Sequence, residues 1–165
     1  MRRLWAPWRY SYVSGPACAD ECVLCRICAT PGEDRDHFVL KRTGDLLVLL
    51  NRYPYINGHM MVVPVRHVPD LSALEPAERA AIIEMLASCE KALSEGLHCQ
   101  GMNGGWNIGA CAGAGIPGHI HMHLLPRWSG DVNFMSAVAG TRVMSASLEQ
   151  SYASLLPYFL REEGP

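Results

Sequence analysis

The chain lacks most features that would set it outside ordinary globular proteins. No stretch reaches the roughly 18 consecutive apolar residues of a membrane span, and the early arginines Arg2 and Arg3 have no apolar run behind them. Neither a membrane span nor a secretory leader is expected, and a cytoplasmic location is. Basic charge is not in excess, the formal net charge being −2 at pH 7. A nucleic-acid polymer would meet no broad attractive field, so any phosphate ligand must be gripped by local donors. Repeats and low-complexity tracts are missing, and charged residues make up 18% against 49% hydrophobic, the balance of a packed chain. An even cysteine count is missing too. Seven cysteines, at 18, 22, 25, 28, 89, 99 and 111, cannot all pair, which argues for a reducing compartment and metal binding over a secreted disulfide framework.

What is present suits a single domain over residues 1–165. Residues 1–37 read as an extended arm, whose Trp5, Trp8, Tyr10 and Tyr12 need a surface to cover, followed by a turn-rich cysteine segment. Residues 46–50 and 60–63 are continuous apolar runs that read as buried strands. Between them, residues 51–58 end in Asn57-Gly58, a pair that tolerates positive φ where the chain reverses, so the strands should pair antiparallel. Over residues 74–97 the period changes to that of an amphipathic helix, with Ala80, Ile82, Ile83, Leu86, Ala87 and Leu93 as its stripe, Pro76 in its first turn and Gly96 at its end. Residues 101–118 are glycine-rich and read as loop, where backbone can approach a ligand closely. Residues 126–131 read as a further loop, and residues 147–160 as a last helix stopped or kinked near Pro157. Met60, Met61, Met85 and Met122 read as core fillers, and His37 and His98 as surface residues.

The chemistry concentrates in His119, His121 and His123, which alternate with Ile120, Met122 and Leu124. On a strand, alternation puts the three imidazoles on one face and the three apolar residues into the core on the other. Imidazole attacks phosphorus readily near neutral pH because its ordinary pKa leaves a lone pair free. A row of three lets one attack while its neighbours orient it and balance charge. The competing reading of such a row is a half-exposed histidine patch or a bare metal site.

The run His-Ile-His-Met-His-Leu-Leu at 119–125 resembles the signature of the histidine triad (HIT) family. Leu-Trp-Ala-Pro-Trp-Arg at 4–9, Asn-Gly-His-Met-Met-Val-Val-Pro at 57–64, Trp-Asn-Ile-Gly at 106–109 and Pro-Arg-Trp-Ser-Gly-Asp-Val-Asn-Phe at 126–134 extend the likeness to nearly the whole chain. They resemble the bacterial branch of diadenosine-tetraphosphate phosphorylases and hydrolases. The resemblance implies an α+β fold with an antiparallel sheet of about five strands flanked by helices, paired as a homodimer. It implies a nucleotide substrate, with His121 as the nucleophile that forms a nucleotidyl-histidine. His123 and Asn107 would then donate to the phosphate, and Asn51 would meet the ribose hydroxyls unless it serves only its turn. Where better-known branches carry Gly-Gln-Ser or Gly-Gln-Thr, this chain has glycines, so either amides near Gly113 and Gly115 replace those side chains or the leaving group differs. Transfer of the nucleotide to a sugar phosphate and a non-catalytic nucleotide-binding module are the alternative functions.

Cys22 and Cys25 form a CxxC pair, a spacing that lets two thiolates grip one tetrahedral ion. Related proteins complete such a site with a histidine after the second strand and the first histidine of the triad, which implies a structural zinc held by Cys22, Cys25, His67 and His119. Cys18 or Cys28 can replace a named thiol on this reading, and His59 would support the site by hydrogen bonding.

Overall fold

The computed structural model describes residues 22–132, 134–140 and 143–160. The aromatic arm, Cys18 and Asn133 lie outside the described residues. Five strands, β1 (Val39–Arg42), β2 (Leu46–Leu50), β3 (Met60–Pro64), β4 (Gly101–Gly105) and β5 (Met122–Arg127), form one antiparallel sheet in the order β1-β2-β3-β5-β4. With its flanking helices this is the expected α+β architecture. β2 and β3 pair in unbroken register, Leu46 with Pro64 through Leu50 with Met60. The turn between them uses Gly58 at φ 74°, and a side chain there would run into that of Leu97.

The two faces of the sheet carry separate apolar clusters. One face sends Val48, Met60, Val62, Ile120, Met122 and Leu124 under the long helix α2 (Pro76–Leu97) and the last helix α4 (Leu148–Leu160), which also pack on each other. The other buries Val39, Leu47, Leu49, Met61 and Val63 with Leu24 and Ile27 of α1 (Val23–Ala29). A short helix α3 (Phe134–Ala139) follows β5. No described helix is long and apolar enough to cross a membrane.

Several local expectations needed correction. The cysteine segment is helical over Val23–Ala29, because Leu24 and Ile27, one turn apart, both bury against the sheet. Gly101–Gly105 is an edge strand and β5 runs on through Arg127, since five backbone pairings from Gly101 with Arg127 to Gly105 with His123 override weak local propensity. α2 starts where expected, at Pro76 behind a Glu75–Glu78 capping box. Its buried stripe is rotated to Ile82, Met85, Cys89, Ala92 and Leu93, leaving Ala80 and Ala87 outside and Ile83 63% exposed. In an alanine-rich helix several faces look apolar, and bulkier Met85 and Cys89 fill the core. Gly96 does not end the helix; His98 does, at φ 52°. A Cβ at Gly96 would lie 2.9 Å from the Tyr158 ring, so the glycine permits α4 to pack close. α4 continues past Pro157 to Leu160, with Leu155 and Phe159 buried on either side of the proline. The four methionines named above are all buried.

Candidate functional site

Ile120, Met122 and Leu124 enter the core under α2 and α4, so the alternation holds, although only His123 lies within β5 itself. The run before the strand is pinned by Ile120 N–H donating to Val68 O at 2.7 Å. The imidazoles are buried on the opposite face: His119, His121 and His123 are 0%, 6% and 8% exposed. A half-exposed patch is therefore the wrong description.

Backbone partners assign the ring protons. His121 Nδ1 lies 2.8 Å from the carbonyl oxygen of His119 and can only donate to it, so in the neutral ring the free lone pair is that of Nε2. His59 Nδ1 accepts from the Tyr55 backbone N–H at 3.2 Å and faces the Asn51 amide nitrogen at 3.4 Å. Its proton must sit on Nε2, which donates to His123 Nδ1 at 2.9 Å. His123 consequently carries its proton on Nε2. The sequence thus yields two neighbouring imidazoles of opposite tautomer, their ring centroids 4.9 Å apart. Burial, reinforced by the neighbouring imidazoles, lowers His59 to about 3, and burial with His121 lowers His123 to about 4. Both are neutral near pH 7, so His123 acts as a neutral donor.

Of the residues proposed to touch substrate, Asn51 is joined to this pair through His59. Asn51 Oδ1 accepts from Tyr53 N–H at 2.9 Å, so its side chain shapes the turn while keeping a second oxygen lone pair. Gly105 pairs with His123 at the end of β4, and Asn107 follows two residues beyond that last pairing. Gly113 has φ 88° and spends its N–H on Ala110 O at 3.0 Å, closing the turn of Ala110–Ala112. Gly115 is exposed in the same loop, which connects to the triad through His119 N–H bonded to Ile116 O. His59 was expected beside the metal and instead supports His123.

A second cluster begins on the same histidine run. Ligand atoms of Cys22, Cys25, His67 and His119 all lie within 4.8 Å of one another. Cys22 Sγ is 3.3 Å and Cys25 Sγ 3.5 Å from His119 Nδ1, and Cys25 Sγ is 3.2 Å from His67 Nδ1. Bond lengths of about 2.3 Å to sulfur and 2.0–2.1 Å to nitrogen give tetrahedral edges of roughly 3.3–3.8 Å, close to the three thiol–imidazole separations, so the four residues could hold one ion with a modest closing of the wider pairs. His119 Nε2–H donates to Pro64 O at 2.8 Å, which turns the Nδ1 lone pair toward the thiols. Burial, with Cys22 and then Cys28 nearby, pushes the Cys25 thiol up to about 11; a bound cation would favour its thiolate. Cys28, half-buried against the α1 cluster, is not among the four. Two contributors escaped the sequence reading. Gly118 makes room for His67, since a Cβ there would stand 3.3 Å from its Nε2. Arg66 ties the loop carrying His67 to α2 through Glu78, at 2.9 and 2.5 Å.

Comparison with known proteins identifies the family. The family model described as "HIT domain" matches residues 33–130. The chain belongs to the HIT family. It is 30% identical over 172 residues to a protein named AP-4-A phosphorylase from Mycobacterium tuberculosis, covering 98% of this chain and 86% of that one. A shorter match, 30% over 93 residues, covers 56% of this chain and 50% of a Schizosaccharomyces pombe protein named bis(5'-nucleosyl)-tetraphosphatase [asymmetrical]. Within the family it therefore resembles the diadenosine-tetraphosphate phosphorylase branch. Among solved structures, a Zn-bound histidine triad family protein from Mycobacterium smegmatis superposes with TM-score 0.68 at 28% identity, covering 84% of this chain and 93% of that one.

Proposed function

We propose that this HIT protein cleaves nucleoside phosphates, diadenosine polyphosphates among them, at the α-phosphate through a nucleotidyl-histidine on His121. The observation that carries the reading is the opposed tautomer pair: an unprotonated Nε2 on His121 beside a protonated Nε2 on His123. In the first step the His121 Nε2 lone pair forms a bond to phosphorus and the bond to the leaving phosphate oxygen breaks. The leaving group departs as a phosphate anion, so no proton is needed. The His119 carbonyl, accepting from Nδ1–H, stabilises the positive charge that the His121 ring acquires. His123 donates Nε2–H to a non-bridging oxygen as charge builds there, and Asn107 offers its amide to the same group. In the second step an oxygen of water, which gives up a proton to solvent, or of inorganic phosphate forms a bond to phosphorus while the Nε2–P bond breaks and returns its electron pair to His121.

Asn51 would receive the ribose through its remaining lone pair, and the exposed loop amide of Gly115 is a better phosphate donor than that of Gly113. Cys22, Cys25, His67 and His119 would hold zinc in a structural role, because four protein ligands leave no open position. Bound there, the ion supplies charge to keep both thiols ionised and holds His119, whose carbonyl orients His121. We also read residues 1–165 as one domain, in the cytoplasm and paired as a homodimer; the glycine-rich edge strand β4 and the thiol pair support that reading.

The test is incubation of purified protein with diadenosine tetraphosphate, with and without inorganic phosphate, beside His121→Asn. ADP formed only with phosphate identifies a phosphorylase, and AMP with ATP formed without it a hydrolase. Absence of turnover of this substrate and of adenosine phosphoramidate would leave a nucleotide-binding module and refute the enzyme reading.

A further inference from the structure

α1 is only seven residues long and has no side-chain hydrogen bond at its N-cap, Cys22. Isolated helices shorter than about 12–15 residues are marginal in water, so this one depends on what holds it. Its apolar side is held by Leu24 and Ile27 against the sheet. Its carboxyl end is held by a cation from another element. Arg42, the last residue of β1, sends Nη1 to Cys28 O at 2.9 Å and Nη2 to Ile27 O at 2.6 Å. Its Nε reaches Asp34 Oδ1 at 2.7 Å, so the guanidinium is fixed while it bridges both carbonyls. The charge also complements the helix dipole at that end.

The thiols sit at the opposite end, Cys22 at the N-cap and Cys25 in the first turn. A helix gripped at its carboxyl end cannot slide along or turn about its axis without stretching those bonds. Such a movement would carry both sulfurs away from His67 and His119. We propose that Arg42 is a positioning residue for the metal centre: by clamping the carboxyl end of α1 it holds Cys22 and Cys25 in register with the two histidines before an ion arrives. The proposal rests on the metal-site reading above. Without the clamp, metal binding must also order the helix, and that cost shows as weaker and shorter-lived binding. Lysine is an incomplete substitute, because a point charge cannot span two carbonyls and a carboxylate at once.

The experiment loads full-length wild type, Arg42→Met, Arg42→Lys, Asp34→Asn and Leu155→Ala with zinc and follows release to a chromophoric chelator, with melting recorded for each. Leu155 is a buried residue of α4, on the other face of the sheet, and serves as a control for general destabilisation. Release from Arg42→Met should be about tenfold faster or more, the scale of losing a group that orients metal ligands. Arg42→Lys and Asp34→Asn should fall in between, and Leu155→Ala should melt lower yet release zinc like wild type. Should Arg42→Met fail to fold, the Lys and Asn variants decide. Wild-type release rates from the Arg42 and Asp34 variants would overturn the clamp alone, whereas wild type that retains no zinc would overturn the metal reading and the clamp with it.

Discussion

The two faces of the sheet are built on different terms. Under α2 and α4 the face is an apolar core, with Val48, Met60, Val62, Cys89, Leu93 and Leu155 essentially sealed from water. The opposite face has a smaller apolar cluster, one short helix, and a row of buried imidazoles whose orientation comes from hydrogen bonds. The first face supplies bulk stability and the second supplies direction. Ile120, Met122 and Leu124 are where they meet: burying these on one side forces the histidines onto the other.

The histidine face is most sensitive at His121. His121→Asn should lower turnover by on the order of 10⁶-fold, as loss of a nucleophile does, while the melting temperature stays near that of wild type. Leu155→Ala is the mirror image. Truncating this buried side chain should cost about 2–5 kcal/mol in denaturant unfolding, with kcat/KM of the folded fraction unchanged. Cys22→Ser lies between the two, removing bound metal and lowering kcat/KM by about 10–100-fold through the orientation of His119. Metal content and steady-state kinetics on the same preparation check it.

Acid should act on the histidine face. His59 and His123 are held down to about 3 and about 4 in the folded chain, below the ordinary value of about 6.5. Between those limits the unfolded chain binds more protons than the folded one, so stability rises with pH there. This contribution is fully present above about pH 6.5 and declines as pH falls toward the folded values. Unfolding free energy measured across that window should fall with acidification, and a His59→Asn/His123→Asn double variant should flatten the dependence. An unchanged slope in the double variant would contradict this assignment.

Legibility in the sequence divides along the same line. The β2–β3 pairing, the start of α2 at Pro76 and the alternation about the triad were readable, since each depends on residues near in sequence. The four residues that the structure gathers as a candidate metal site were readable too, through residue type and family resemblance. The helical cysteine segment and the strand within the glycines were not, because burial of Leu24 and Ile27 and pairing with β5 decide them. The phase of α2 was blurred by its alanines. His59 illustrates a further limit: its neighbour in the chain is Met60, yet its partner is His123, 64 residues away. Arg42 gave no local signal either, since its acceptors lie 14 and 15 residues earlier on another element.

Hydrogen bonding gives His121 and His123 opposite tautomers, and nitrogen-15 NMR of histidine side chains near neutral pH distinguishes them. The expected result is protonation at Nδ1 for His121 and at Nε2 for both His59 and His123, with the His121 assignment confirmed by disappearance of its signals in His121→Asn. A proton on Nε2 of His121 in the free protein would contradict it, because the lone pair assigned to attack phosphorus would then be occupied.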